Sequence, residues 1–539
     1  RPYFVGSGQG SNQSYQPGDF VFPTAEQDQG HTEIELDSVG RPVIETLPKD
    51  EFGATAQNVY AYLPYQFTRT DADDFIHQQE TDYAERIINV SQPTANQDSS
   101  APSFDSQEFN YDALGRITLL RDAYGNEKTL QYDGLSRKIS QHDLDQGSSS
   151  YQYDNVGNLK QKTDGLGRTL AYQYDGSSRL LSISDMTASD KSSDTFPNTT
   201  GIAGGKLLYQ YYYDIAHSDA PASLREQPRH QIGKLTAVEY LAHTGSANSA
   251  DASGEFYHYD LRGNQDQKVV KQQNALYGFH YKYDKQDRLI THTWPDGGIV
   301  KYKHNLRGLV EKVDGVLDSA VYGPDGQFTE LHYANGSSQT RDYDLRGRLT
   351  DLISAQNSGE HKKSLLDLNY GYNQRGFIKN ISNAISAEHS QSFNYDGKGQ
   401  LTFAKSHYGQ LDYDYDAIGN LIDKQHSLAT DAPGKHHLQA LTYGDKHNRT
   451  QKSVNGNSLA AGPHAPINSS AGHVWEYNGV GQRKQTIDTN GDIHDYRWDV
   501  LGRLTQWILT KENGDLSAKE EYSYDPDGRR LTKKTCDVK

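Results

Sequence analysis

Over most of this chain, short runs that alternate apolar or aromatic residues with polar ones are separated by turn signals every 10 or 11 residues. Residues 116–120 (Arg-Ile-Thr-Leu-Leu) and 128–132 (Lys-Thr-Leu-Gln-Tyr) are such runs. They have strand length and are rich in β-prone residues. Tyrosines recur at i and i+2 just before a turn, as at Tyr151/Tyr153, Tyr172/Tyr174, Tyr257/Tyr259 and Tyr522/Tyr524. In a strand those two positions share a face. Helical periodicity is not sustained. The pattern predicts an all-β chain of antiparallel hairpins, with tyrosines aligned from one hairpin to the next.

The turns repeat in sequence as well as in spacing. The unit is Tyr-Asp-x-x-Gly-Arg or a near variant. It starts at Tyr111, Tyr132, Tyr153 and Tyr174, at intervals of 21, 21 and 21 residues, and recurs from Tyr259, Tyr283, Tyr343, Tyr415, Trp498 and Tyr524. Looser copies stand at His304, Tyr322, Tyr372, Tyr395 and Tyr477, and a degenerate early one at Leu36. The repeat residues expected to build the structure are Tyr111, Asp112, Gly115 and Arg116; Tyr132 and Asp133; Tyr153, Asp154 and Gly157; Tyr174 and Asp175; Tyr259, Asp260 and Gly263; and Tyr283 and Asp284. In the later copies they are Tyr343, Asp344, Gly347 and Arg348; Tyr415, Asp416 and Gly419; Trp498, Asp499, Gly502 and Arg503; and Tyr524, Asp525, Gly528 and Arg529. Asp at the head of a turn can accept from its own backbone two residues on, and Gly supplies the positive φ. The arginine is placed to stack on a ring or to pair with the turn Asp. A second turn of similar chemistry lies between successive copies, as at Asp122 and Asp164. One 21-residue unit is therefore two strands and two tight turns.

Composition sharpens this reading. The 539 residues carry 54 Lys+Arg against 71 Asp+Glu, a net charge of −17, and only 34% are hydrophobic. Such values lean towards disorder, but 38 tyrosines contradict it. A Tyr-weighted payload suits half-wet surfaces rather than one oily core. The acidic balance argues against nucleic-acid binding, and no run of 18 apolar residues exists to span a membrane. A single cysteine, Cys536, excludes an intrachain disulfide framework and any zinc site built on several cysteines. The scarcity of both sulfur residues, with one Met besides, is compatible with an oxidising, extracellular setting.

The repeat resembles the YD-repeat, or RHS-repeat, superfamily over roughly the last four-fifths of the chain. The resemblance implies a long β-sheet spiralling into a hollow shell. In bacterial polymorphic toxins and in the B and C components of Tc toxins that shell encloses a toxic domain, and in animal teneurins a similar shell belongs to an adhesion receptor. It further implies a secreted or cell-surface location and, as partner, a toxin or other polypeptide cargo or further shell segments of the same or a partner chain. The sealing Asp-Pro-x-Gly-rich region of toxin-carrying members has no counterpart here. Asp525-Pro-Asp-Gly528 lies inside an ordinary repeat, so no self-cleaving residue is assigned.

The expected organisation is a lead-in region with degenerate β segments at 1–108, regular repeats at 109–186, an irregular insertion at 187–255, repeats at 256–426, a loop-rich insertion at 427–474, and repeats at 475–539 without a C-terminal cap. No residue is assigned to catalysis, cofactor or metal. Asp488-Thr-Asn-Gly-Asp492 resembles part of a calcium loop but lacks the bidentate Glu and fills a turn slot. His436-His437 would point to opposite faces of a strand, and Gly6-Ser-Gly-Gln-Gly10 lacks the ending of a phosphate loop. The expected function is structural, a wall enclosing or delivering a polypeptide. Adhesion or carbohydrate binding through exposed aromatics and loops is the alternative, and a polysaccharide-acting enzyme a third reading.

Overall fold

The computed structural model describes residues 31–49, 53–94, 103–187, 205–225, 231–241, 252–272, 275–358, 361–427, 440–443, 451–454 and 457–536. Within them, 32 strands from Glu33–Leu36 to Leu421–Ser427 form one antiparallel sheet in which chain neighbours pair. Eight more strands, from Leu441–Tyr443 to Arg530–Cys536, form a second sheet, and Gln451–Val454 pairs with Asn457–Ala460. The sequence period is interrupted at 187–255, but the sheet is not. Lys206–Tyr213 pairs with Leu235–Leu241, and that strand with Ala252–Tyr259. The stretches containing Gly6–Gly10 and His436-His437 lie outside the described residues.

Two kinds of turn alternate. Motif turns follow the motif aromatic and lie along one edge of the sheet; return turns, several of which share the Asp-x-x-Gly pattern, lie along the other. At the motif hairpins the register slips beside the motif aromatic. Gln152 pairs with Gln161, but Tyr153 pairs with Leu159. Likewise Asn110 pairs with Leu119 and Tyr111 with Ile117. The return hairpin joining Leu159–Thr163 to Thr169–Tyr174 keeps its register throughout. A bulge adds a residue to one strand, bends it and increases its twist. Bulges recur at the motif hairpins and occur at only some return hairpins, such as that joining Leu349–Ser358 to His361–Tyr372, so the added twist falls mainly along the motif edge.

The curl brings the sheet over itself, and the second sheet over earlier strands of the first. Asp73 meets Asn373 and Arg375, Pro48 meets Arg346, and Arg168 meets Asp499, contacts separated by 300, 302, 298 and 331 residues. The buried apolar side chains fall into small clusters rather than one core. The largest joins Ala220, Leu224, Ala237, Phe256 and Val269 beneath the 214–225 loop, and another holds Tyr209, Val238 and Tyr240 where the layers overlap.

Candidate functional site: the repeat turns and the seam between layers

Each motif turn is built around its aspartate. Asp112 Oδ1 accepts the backbone N–H of Leu114 at 2.9 Å and of Arg116 at 3.0 Å, and Oδ2 accepts Arg116 Nε at 2.6 Å. Gly115 N–H closes the turn onto the Asp112 carbonyl at 3.0 Å. Asp133, Asp175, Asp284, Asp344 and Asp499 hold Arg137, Arg179, Arg288, Arg348 and Arg503 in the same way. Asp154, Asp260 and Asp416 hold an asparagine amide instead, from Asn158, Asn264 and Asn420. Asp525 accepts the backbone N–H of Arg529 at 2.7 Å. These bonds favour the charged carboxylate. Backbone donation from Arg116, Arg137 and Arg179 leads in lowering the pKa of Asp112, Asp133 and Asp175, and the Arg288 side chain brings Asp284 to about 2. Gly115, Gly157, Gly263, Gly347, Gly419, Gly502 and Gly528 all have positive φ, and Ser136 and Ser178 adopt it in glycine's place at 65° and 61°.

The motif aromatic ties one repeat to the previous one. The hydroxyls of Tyr111, Tyr153, Tyr259, Tyr283, Tyr343 and Tyr524 donate to the carbonyls of Ile87, Lys138, Leu235, Gln265, Phe328 and Leu504 at 2.7 to 2.9 Å. Trp498 uses its indole N–H for the same purpose, reaching the Arg483 carbonyl at 2.7 Å. Burial pushes the pKa of Tyr153, Tyr174, Tyr259, Tyr283 and Tyr415 up, which keeps these hydroxyls protonated. The aromatic ladder is not ring on ring. A guanidinium lies over the next motif ring, Arg116 over Tyr132 and Arg137 over Tyr153, both at 4.9 Å. The same arginines donate through Nη1 to the carbonyls of Asp133 and Asp154 in the next turn. Thus the arginine does both things the sequence allowed: it pairs with its own Asp and stacks on the next ring.

The fourth position of the motif is where the second layer meets the first. Arg346 Nε donates to the Pro48 carbonyl at 2.6 Å. Arg375 Nε donates to Asp73 Oδ2 at 2.8 Å while its guanidinium covers Phe75 at 4.6 Å. Lys398 pairs with Asp105. Beside them, Ala417 N–H reaches the Tyr124 hydroxyl at 3.2 Å, and His464 pairs with Asp145 at 2.7 Å, a bond that raises the His464 pKa. Motif turns of the upper layer therefore dock on return turns of the lower one. A cavity of about 210 Å³ opens beside this seam between Arg121, Lys128, Asp143 and His464.

A sequence model of the family described as RHS Repeat matches residues 153–188. No curated protein matches the chain. Among solved structures, the crystal structure of TcdB2-TccC3 superposes with a TM-score of 0.72 at 18% identity, covering 95% of this chain and 27% of that one. TcdB2-TccC3 without its hypervariable C-terminal region gives 0.67 at 18%, covering 93% and 27%. The Photorhabdus luminescens Tc holotoxin pore gives 0.67 at 17%, covering 93% and 26%. The chain thus carries an RHS repeat at residues 153–188. It spans about a quarter of the length of the structures it matches, and the likeness is one of fold.

Other side-chain clusters in the sheet are internally bonded. His217, Asp219 and Glu239 bring potential metal-ligand atoms within 4.8 Å of one another. However, His217 Nδ1 accepts Asp219 N–H at 3.2 Å, and Glu239 accepts the Tyr212 hydroxyl at 2.7 Å. In the neutral ring the proton is then on Nε2, facing Glu239 Oε1 at 3.7 Å, which suits a hydrogen-bonded network rather than a ligand set. Asp488 is a return-turn aspartate accepting Asn490 and Asp492 N–H, and Asp492 Oδ2 takes Lys511 Nζ at 2.7 Å. Sequence reasoning missed the seam residues Asp71, Asp73, Asp105, Tyr124, Asp145, Arg375 and Lys398. It also missed one repeat, Thr81-Asp-Tyr-Ala-Glu-Arg86, in which Arg86 pairs with Asp82 and covers Tyr111. The usable signals were the spaced Asp and Arg of that copy and the basic fourth position at Arg346, Arg375 and Lys398.

Proposed function

We propose that this chain is a wall segment of an extracellular RHS shell that encloses a polypeptide cargo and helps deliver it. The observation that carries the reading is the overlap of the sheet with itself. Between the Asp73 turn and the Arg375 turn that docks on it lie 23 strands, from Ile76–Thr81 to His361–Tyr372. At about 4.8 Å per strand the perimeter is about 110 Å, so the mean diameter is about 35 Å. Side chains extending about 5 Å inwards leave room for chain inside. The half-buried, tyrosine-rich and acidic surfaces support holding such a chain without tight apolar binding. The likeness to TcdB2-TccC3 supports the same architecture. The test is limited proteolysis of the protein expressed from its full reading frame, read by mass spectrometry. A segment that resists cleavage until the wall is unfolded supports enclosure; digestion of every other segment before the wall rejects it.

One observation favours a second reading, carbohydrate-binding adhesion. Tyr281, His292, Trp294 and Phe279 form a cluster of rings in stacked, tilted and edge-on contact, with centroids 4.3 to 6.2 Å apart, and Trp294 is 46% exposed. Exposed rings of this kind suit sugar faces. Selective glycan-array binding that is lost in Trp294→Ala would put adhesion first.

A further inference from the structure

The cavity of about 210 Å³ beside the seam has a floor from one layer and a roof from the other. The floor is sheet. Phe109 pairs with Leu120, Leu120 pairs with Lys128, and Gln107 stands two residues before Phe109. These four side chains therefore share one face. The roof is the 463–464 segment, and it is pinned on both sides. Asn420 Nδ2 donates to the Pro463 carbonyl at 3.0 Å. Asp145 Oδ1 accepts the His464 backbone N–H at 3.1 Å, and Asp145 Oδ2 lies 2.7 Å from His464 Nδ1. Floor and roof are thus fixed before any ligand arrives, as in preformed small-molecule sites.

The charges of the lining select against a charged ligand. Arg121 is held by Glu108 and Glu127, Lys128 by Asp143 and His464 by Asp145, while Asp122 accepts the Asn126 amide. An ion would have to break one of these pairs; a neutral molecule need not. Asn126 is a second, independent observation. It is 8% exposed, and its Oδ1 accepts no hydrogen bond among the described residues. A buried carbonyl without a donor is costly, so this wall favours a ligand that brings one. A hydroxyl both donates and accepts, and so suits the Asn126 carbonyl, the Gln107 amide and the Lys128 ammonium alike. The volume lies below the roughly 300 Å³ at which sites for drug-sized ligands begin, which leaves space for one small ring. We propose that this cavity binds one neutral, hydroxyl-rich sugar ring, with its C–H face on Phe109 and Leu120 and its hydroxyls on Gln107, Lys128 and Asn126. The ring touches both layers, so its binding also holds the seam closed. The site is separate from the Trp294 cluster and goes beyond the shell reading without depending on it.

Saturation-transfer NMR of the full chain tests this, with glucose, galactose, mannose and N-acetylglucosamine each titrated to about 50 mM. Glutarate and 1,5-diaminopentane serve as charged probes of comparable size. The expected result is a Kd of about 1 mM for at least one sugar, and binding of both charged probes at least about 10-fold weaker. Amide exchange should slow at His464, whose N–H bonds to Asp145. Gln107→Ala changes an exposed residue, so its melting profile should match the parent while its sugar affinity falls about 10-fold. Leu120→Phe fills the floor and should abolish binding. No binding of any sugar, tighter binding of a charged probe, or undiminished binding in Gln107→Ala overturns the proposal. Exchange that slows at Trp294, whose N–H bonds to Gly298, and not at His464 also overturns it, since the sugar then sits on the exposed rings. None of these failures touches the shell reading.

Discussion

At the scale of the residue, the motif aromatic is a ring with a donor at its far end. Tyr524 and Trp498 show that the donor matters as much as the ring, because an O–H and an indole N–H reach equivalent carbonyls, both at 2.7 Å. Trp498→Tyr is therefore expected to be close to neutral in stability. Trp498→Phe keeps a ring but strands the Arg483 carbonyl, and should cost about 1 kcal/mol in urea unfolding. Equal behaviour of the two variants would refute the donor role. The aspartates make the second residue-scale prediction. The pKa of Asp284 falls from an ordinary carboxylate value of 3.8 to about 2 in the fold. A folded pKa below the unfolded one contributes stability that is fully present above about 4 and is lost as the pH falls towards about 2. Asp112, Asp133 and Asp175 shift in the same direction. Melting temperature should thus drop between about pH 4 and about pH 2. Asp284→Asn, which cannot titrate, should show a shallower drop. These residue roles were legible in the sequence because Asp, Gly and Arg act within one turn, and six residues contain the whole device.

At the scale of the element, hairpins and turns could be read from the chain, but the curl could not. Alternation predicts which face a side chain takes, and it is blind to a slip such as Tyr153 pairing with Leu159. That slip depends on how two strands leave a turn, so the sequence shows it only as a Tyr before an Asp. The expected tyrosine ladder was changed for a related reason. The guanidinium of Arg116 occupies the space over Tyr132, so rings alternate with cations. Glycines at the fifth motif position separate two costs. Gly115 has φ +78° and nothing nearer to an added Cβ than 3.8 Å, whereas Gly481, at φ +77°, would place Cβ 2.5 Å from the Asp145 carbonyl oxygen of the other layer. Gly115→Ala should cost about 1 kcal/mol, from backbone strain alone. Gly481→Ala must also push the layers apart, and an additional loss of about 2 kcal/mol is expected. Urea unfolding of both variants checks the order, which equal losses would overturn.

At the scale of the whole molecule, the seam joins residues about 300 positions apart, and no local pattern announces that distance. Asp73 and Arg375 are ordinary turn residues until the curl brings them together. Arg375 is central to the joint. It donates to Asp73, lies 3.7 Å from Asp71, covers Phe75 and Phe377, and donates to the carbonyls of Asp396 and Gly397 in its own layer. Its side chain is 10% exposed and that of Asp71 is 4% exposed. Truncation there leaves carboxylates facing a gap, so Arg375→Ala should cost about 3 kcal/mol. A long array of hairpins need not lose structure all at once, because each repeat leans chiefly on its neighbours. The loss should therefore appear locally, and amide hydrogen exchange is the suitable measurement. Protection should fall at Asp73 and Phe75, whose N–H groups bond to Asp71 Oδ1, and at Gly399 in the Asp396 turn. Gly308, in a turn far from the seam, should keep its protection. Arg375→Lys retains the charge but not the fork, and should fall between the parent and Arg375→Ala. If protection fell equally at Gly308, the seam would be inseparable from the sheet. If it fell nowhere, the layers would be held together without Arg375.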